Sequence, residues 1–113
     1  MQRLTQRADF LAAARAAKAP AAAFVLQARQ RDDEGPARFG FTVTKKVGNA
    51  VERNRVRRRL REIVRLAEPG GTRAGHDYVL VGRRAALATP FARMRDEFDG
   101  ALRRVHAGRQ GHR

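Results

Sequence analysis

Residues Lys45 to Arg65 read K-K-V-G-N-A-V-E-R-N-R-V-R-R-R-L-R-E-I-V-R. Nine of these 21 positions are Lys or Arg, and only Glu52 and Glu62 are acidic. Guanidinium groups offer a planar fork that matches phosphate, so the chemistry this run suggests is the binding of a polyanion. The run is also patterned. Val56, Leu60, Ile63, Val64 and Ala67 recur at the spacing of one helix face. Asn54, Arg57, Arg58, Arg61 and Arg65 have the same spacing on a second face, about 140° around the axis at 100° per residue. Arg53, Arg57, Arg61 and Arg65 form an i, i+4 series of like charges, and Arg55 and Arg59 form another such pair. Each like pair costs an isolated helix about 0.2–0.5 kcal/mol. Glu62 alone is placed to offset several of them. A solvated surface that served only structure would mix its signs better. A phosphate backbone turns the repulsion into attraction and releases counterions.

The rest of the composition narrows the alternatives. The chain has 113 residues, a formal net charge of +14 and a pI of about 11.8. It has no Cys and no Ser, which excludes disulfides, thiolate metal sites and Ser or Cys nucleophiles. His76, His106 and His112 share no ligand spacing, and no metal ligand set is expected. Asp32-Asp33-Glu34 falls in a polar turn, where acidic residues are common. Asp96, Glu97 and Asp99 stand among arginines and read as helix-surface ion pairs. No apolar run approaches the roughly 20 residues of a membrane span, and the N-terminal stretch lacks the apolar core of a signal peptide. The expectation is a cytoplasmic, RNA-binding protein, with no membrane partner.

Elements that could position the basic run follow from periodicity and punctuation. A short helix is predicted from Thr5 to about Arg15, with Thr5 as N-cap and Leu4, Phe10, Leu11 and Ala14 as apolar contacts. Phe24 to Arg29 reads as a strand, and Gln30 to Ala37 as a turn. Arg38 to Thr44 alternates Phe39, Phe41 and Val43 with Gly40, Thr42 and Thr44, the period of a strand with one buried face. Phe39 and Phe41 could be a stacking platform or core, and core is the expectation. Gly40 leaves room for close approach of another element or a ligand. An extra strand around Thr44 to Val47 is conceivable. Asn49 and Glu52 are spaced as a capping box for a helix from about Ala50 to Ala67, stopped by Pro69-Gly70-Gly71. Tyr78 to Gly82 reads as a buried strand. Thr89 as N-cap and Pro90 at the first position open a last helix, with a frayed tail from Gly108. A helix-turn-helix needs adjacent helices, and here strands flank the basic one, so RNA is favoured over DNA. The expected architecture is a single-domain α+β sandwich, helices packed against one small sheet, of order α-β-β-α-β-α, or α-β-β-β-α-β-α with the extra strand.

The segment Phe39 to Arg65 resembles the signature of the bacterial ribonuclease P protein subunit: the F-G-F-T-V strand, the K-K-x-G-N-A-V turn and the R-N-R helix follow in that order. Arg7-Ala8-Asp9-Phe10, Phe24-Val25-Leu26 and Asp77-Tyr78-Val79-Leu80-Val81 are similar to the family's first helix, first strand and last strand. The resemblance implies the order with the extra strand, α-β-β-β-α-β-α on a small mixed sheet, and a left-handed β-α-β crossover through the basic helix, of the kind found in a ribosomal protein fold. It implies partnership with the ribonuclease P RNA and with precursor tRNA, whose 5′ leader is cut off by the RNA and its bound Mg²⁺. The protein would then have no catalytic residue. Carried over by position, Lys45, Lys46, Asn49, Arg53, Asn54, Arg55 and Arg58 would meet the catalytic RNA. Phe10, Gln27, Arg57, Arg61 and Arg65 would line a cleft for the leader, with burial in the core the alternative reading of Phe10. Ala14 stands where the family often has an aromatic residue, and Gln27 where some members have Tyr. A non-catalytic ribosomal or architectural RNA-binding protein is the alternative.

Overall fold

The computed structural model describes residues 1–67 and 71–111, the last four by their backbone alone. Among these residues five strands form one mixed sheet: β1 (Gln2–Arg3), β2 (Ala17–Pro20), β3 (Phe24–Gln30), β4 (Arg38–Thr42) and β5 (His76–Gly82). Their order across the sheet is β1-β4-β5-β3-β2. β4 runs parallel to both β1 and β5, and the β2–β3 and β3–β5 pairs are antiparallel. Among the described residues three α-helices complete the fold: α1 (Arg7–Ala14), α2 (Ala50–Ala67) and α3 (Phe91–Gly111). The crossover between the adjacent parallel strands β4 and β5 passes through α2, as expected.

The register sorts side chains to two faces. Leu26 pairs with Leu80, Leu80 with Phe41, and Tyr78 with Phe39. This face meets Val56, Leu60, Ile63 and Val64 of α2 and Met94, Phe98, Leu102 and Val105 of α3 in the main core. Phe39 is fully buried, stacked on Tyr78 with ring centroids 5.4 Å apart, and Phe41 packs half-buried against the same core. Both are therefore core rather than a stacking platform. The opposite face presents Val79, which packs with Leu4, Ala13 and Phe10 beneath α1.

Several elements differ from the sequence-based expectation, each for a local reason. α1 begins at Arg7 after Gln6, and no side chain caps it, so Thr5 is not the N-cap. Ala13 is buried there, whereas Leu11 is 51% exposed. Lys45–Val47 form a 3-10 turn rather than a strand, with Val47 plugged into the core. Thr89 donates its hydroxyl to the Ala85 carbonyl, closing a turn at Arg84–Leu87 instead of capping α3. The β2 edge was not foreseen because Ala17-Lys18-Ala19-Pro20 has no β propensity; pairing with β3 decides it. α2 has the expected bounds. Pro69 and Gly70 of its expected stop lie outside the described residues, as do His112 and Arg113 of the expected tail. α3 stays helical to Gly111.

Candidate nucleic-acid interface

The turn that starts α2 is built by reciprocal bonds. Asn49 N–H donates to Glu52 Oε1 at 3.0 Å, and Glu52 N–H donates to Asn49 Oδ1 at 2.9 Å. This is the expected capping box. The Asn49 N–H, and then Arg84, hold the Glu52 carboxyl below the usual carboxylate range. Arg84 also donates to the Val47 carbonyl at 2.6 Å, and Arg53 Nε to the Gly48 carbonyl at 3.2 Å. A Cβ on Gly48 would stand 2.1 Å from Glu52 Oε1, so a side chain there would evict the carboxylate from its cap. The K-K-V-G-N turn is thus fixed from both sides, with Lys45 and Lys46 exposed on its outer surface. Asn49 spends its oxygen on the cap, which leaves its amide N–H₂ as the group able to reach a ligand.

Along α2 the arginines divide by direction. Arg59 turns toward α3 and donates to the Thr89 carbonyl, with Met94 Sδ at 3.4 Å. That arginine is a brace between helices. Arg53, Arg57 and Arg61 lie half-buried on the other flank of the apolar stripe, and Arg55 and Arg58 are exposed. Arg57 donates to Asn54 Oδ1 at 3.1 Å, so Asn54 aims its neighbour one turn on. Glu62 holds Arg65 in a bidentate pair, which lowers the Glu62 pKa and raises that of Arg65. The only two acids of α2 are thereby spent, one on the cap and one on Arg65. Arg53, Arg55, Arg57, Arg58 and Arg61 have no carboxylate within salt-bridge reach among the described residues. Lys45 and Lys46 have none either.

The residues expected in the leader cleft fall into two groups. Phe10 and Gln27 lie on the α1 side of the sheet. A Cβ on Gly40 would come within 2.4 Å of the Phe10 ring, so the missing side chain makes the seat for that ring. Phe10 is half-buried and packs with Leu4, Ala13 and Val79, so it serves the small core as well as the surface. Gln27 sits in mid-β3 between Lys18 and Val79 in register and is half-buried. Arg57, Arg61 and Arg65 belong to α2, across the sheet. Arg58, Arg61 and Arg65 line a groove with Met1 and Arg3 at the β1 edge.

A second arginine cluster was missed by sequence reasoning. Asp77 is fully buried and accepts from Arg31 at 2.7 Å and from Arg38 at 2.8 and 2.9 Å. Burial pushes the Asp77 carboxyl up, but the bonds from Arg38 and Arg31 outweigh it and leave the pKa lowered. Asp9 of α1 approaches Arg29 at 3.3 Å and Arg38 at 3.4 Å, which pins α1 to the sheet. Arg29, Asp77 and Arg38 are register partners on three adjacent strands. The available signal was a lone Asp before Tyr78-Val79-Leu80-Val81, flanked in register by two arginines.

A small mixed sheet crossed by a capped basic helix defines a strongly basic α+β protein with an uncompensated cationic face. The ribonuclease P family model matches residues 1–106, and the chain belongs to that family. It is 50% identical over 107 residues to the ribonuclease P protein component of Ruegeria pomeroyi, covering 92% of this chain and 86% of the relative. It is 52% identical over 104 residues to that of Gluconacetobacter diazotrophicus, covering 91% and 90%. The fold is similar to the RNase P protein from Thermotoga maritima, with a TM-score of 0.76 at 28% identity over 93% of this chain and 98% of that one. Among the described residues no helix is long and apolar enough to cross a membrane.

Proposed function

We propose that this chain is the protein subunit of a ribonuclease P endoribonuclease, acting in the removal of the 5′ leader from precursor tRNA. The observation that carries the reading is the α2 face, where five arginines lack a carboxylate partner beside a turn that holds Lys45 and Lys46 outward. In this reading Lys45, Lys46, Asn49, Arg53, Asn54, Arg55 and Arg58 meet the ribonuclease P RNA. The cap supports it by presenting the α2 N-terminus and its partial positive charge to phosphate. Phe10, Gln27, Arg57, Arg61 and Arg65 meet the leader, which would have to pass around the β4–β1 edge to touch both groups.

The chemistry in this reading is Mg²⁺-assisted hydrolysis of a phosphodiester, with the ion held by the RNA. The carboxylates beside the basic face fit that division: Glu52 and Glu62 are each engaged by arginine. The protein's own contribution is to neutralise phosphates where RNA strands converge, which lowers the Mg²⁺ needed to fold and dock them. Work in the cytoplasm, where precursor tRNA is made, fits this role. Reconstitution tests it. Adding the protein to its cognate RNA is expected to restore precursor-tRNA cleavage at Mg²⁺ concentrations where the RNA alone is slow. Equal rates with and without protein at limiting Mg²⁺ would refute the reading.

A further inference from the structure

The N-terminal strand brings a residue to the basic face that its position in the sequence does not suggest. β1 pairs in parallel with β4, Arg3 opposite Phe39, and Leu4 N–H donates to the Phe39 carbonyl at 2.8 Å. Alternation along the strand sends Leu4 to the α1 side, where it is 6% exposed beside Phe10. The same alternation sends Arg3 to the side of Phe39 and α2. There a groove of about 480 Å³ is lined by Met1, Arg3, Arg58, Arg61, Glu62 and Arg65.

The charged side chains of the lining are four guanidinium groups and one carboxylate, and that carboxylate is already paired with Arg65. Arg61 holds its Nε buried without a hydrogen-bond partner among the described residues. That buried N–H is a cost to the free protein, and the Arg61 guanidinium has no carboxylate within salt-bridge reach among the described residues to answer its charge. The groove continues the α2 ridge of Arg53, Arg57, Arg61 and Arg65, one guanidinium per helical turn of about 5.4 Å. Charges repeated at that interval suit a chain of anions better than a single carboxylate.

We infer that Arg3, Arg58 and Arg61 together form a binding site for a phosphodiester of an RNA strand, with β1 acting as the arm that closes it. The inference rests on the RNA-binding reading above and adds to it a residue and a shared site. The strand could belong to the catalytic RNA or to the precursor leader, so the experiment has two arms. One measures binding of the protein to cognate ribonuclease P RNA across salt concentrations. The other measures binding of precursor and mature tRNA to the reconstituted holoenzyme. Arg3→Ala is expected to weaken one arm about three- to tenfold and to reduce its salt slope by about 0.7–0.9, the loss of one phosphate contact. Arg93→Ala, on the exposed face of α3, is expected to change neither arm. Arg3→Ala with Arg61→Ala is expected to lose less than the product of the single effects, because one phosphate is shared. Unchanged affinity and slope for Arg3→Ala, alongside weakened binding by Arg53→Ala/Arg55→Ala, would overturn the site and leave the reading standing. Lost affinity with an unchanged slope would assign Arg3 to folding and also overturn it. Failure of the wild-type protein to bind either RNA would instead overturn the reading itself.

Discussion

Arginine has two fates in this molecule. In the sheet, Arg31 and Arg38 converge on the buried Asp77, while Arg29 and Arg38 also meet Asp9. On α2, Arg53, Arg55, Arg57, Arg58 and Arg61 share a surface whose two acids are committed elsewhere. The residue type is the same and the chemistry is opposite. A guanidinium beside a buried carboxylate has its charge answered inside the fold, and it fixes strands and helix to one another. A guanidinium among its own kind on a rigid helix is a cost to the free protein that only an external anion removes. Counting arginines does not separate the two, because it cannot say where the carboxylates are.

The largest test of this contrast is Asp77→Ala. It removes the buried carboxylate on which Arg31 and Arg38 converge, leaving Arg31 to Asp33 and Arg38 to Asp9, and is expected to cost about 3 kcal/mol, read as a lowered denaturant midpoint. A loss below about 1 kcal/mol would show that the cluster is solvent-screened like the α2 surface. The same group sets an acid limit. Burial raises its folded pKa, but the bonds from Arg38 and Arg31 outweigh it and leave it below the usual carboxylate range. Its contribution is therefore present above the unfolded-state value near 4 and is lost as pH falls through the lower folded value. Acid melts below about pH 4 are expected to be steep for the wild type and flatter for Asp77→Asn.

Next in size, Arg53→Ala with Arg55→Ala is expected to weaken RNA binding about 10- to 100-fold and to reduce the salt slope by about 1.4–1.8. Its stability should move by less than about 1 kcal/mol. A large stability loss with an unchanged slope would place these arginines in the first class rather than the second. Asn49 separates the two roles within one residue. Asn49→Ala is expected to cost about 1 kcal/mol through the lost cap. Asn49→Asp should keep the cap and still weaken RNA binding, because it adds a negative charge beside Lys45, Lys46 and the α2 N-terminus. Equal RNA affinity for Asn49→Asp and wild type would remove Asn49 from the interface. Smallest of all, Glu62→Gln frees the exposed Arg65 and is expected to shift stability by no more than about 0.5 kcal/mol, checked by thermal melts.

The basic helix was the most legible part of the chain. Its bounds, apolar stripe and cap all depend on residues within a few positions of one another, and local spacing carries that information. Gly40 was legible as a place of close approach, but which element would arrive was not; the Phe10 ring comes from 30 positions away in sequence. Leu11 was expected inside and Ala13 is buried instead, because a short helix's face is set by what it packs on and not by its own apolar residues. Edge strands β1 and β2 escaped notice because two residues and an Ala-Lys-Ala-Pro run carry no β pattern of their own.

By itself the sequence determined a small α+β chain with one two-faced basic helix, a capped turn before it and more cation than its own acids could answer. Those are properties of composition and of neighbours within a turn. Tertiary structure alone decided which arginines are answered, since Asp77 reaches Arg31 and Arg38 across 46 and 39 positions of chain. It also decided that Arg3 stands with Arg58 and Arg61, while Phe10 and Gln27 lie across the sheet. Strand pairing and the face to which each side chain alternates set those distances, and both are fixed only when the sheet closes.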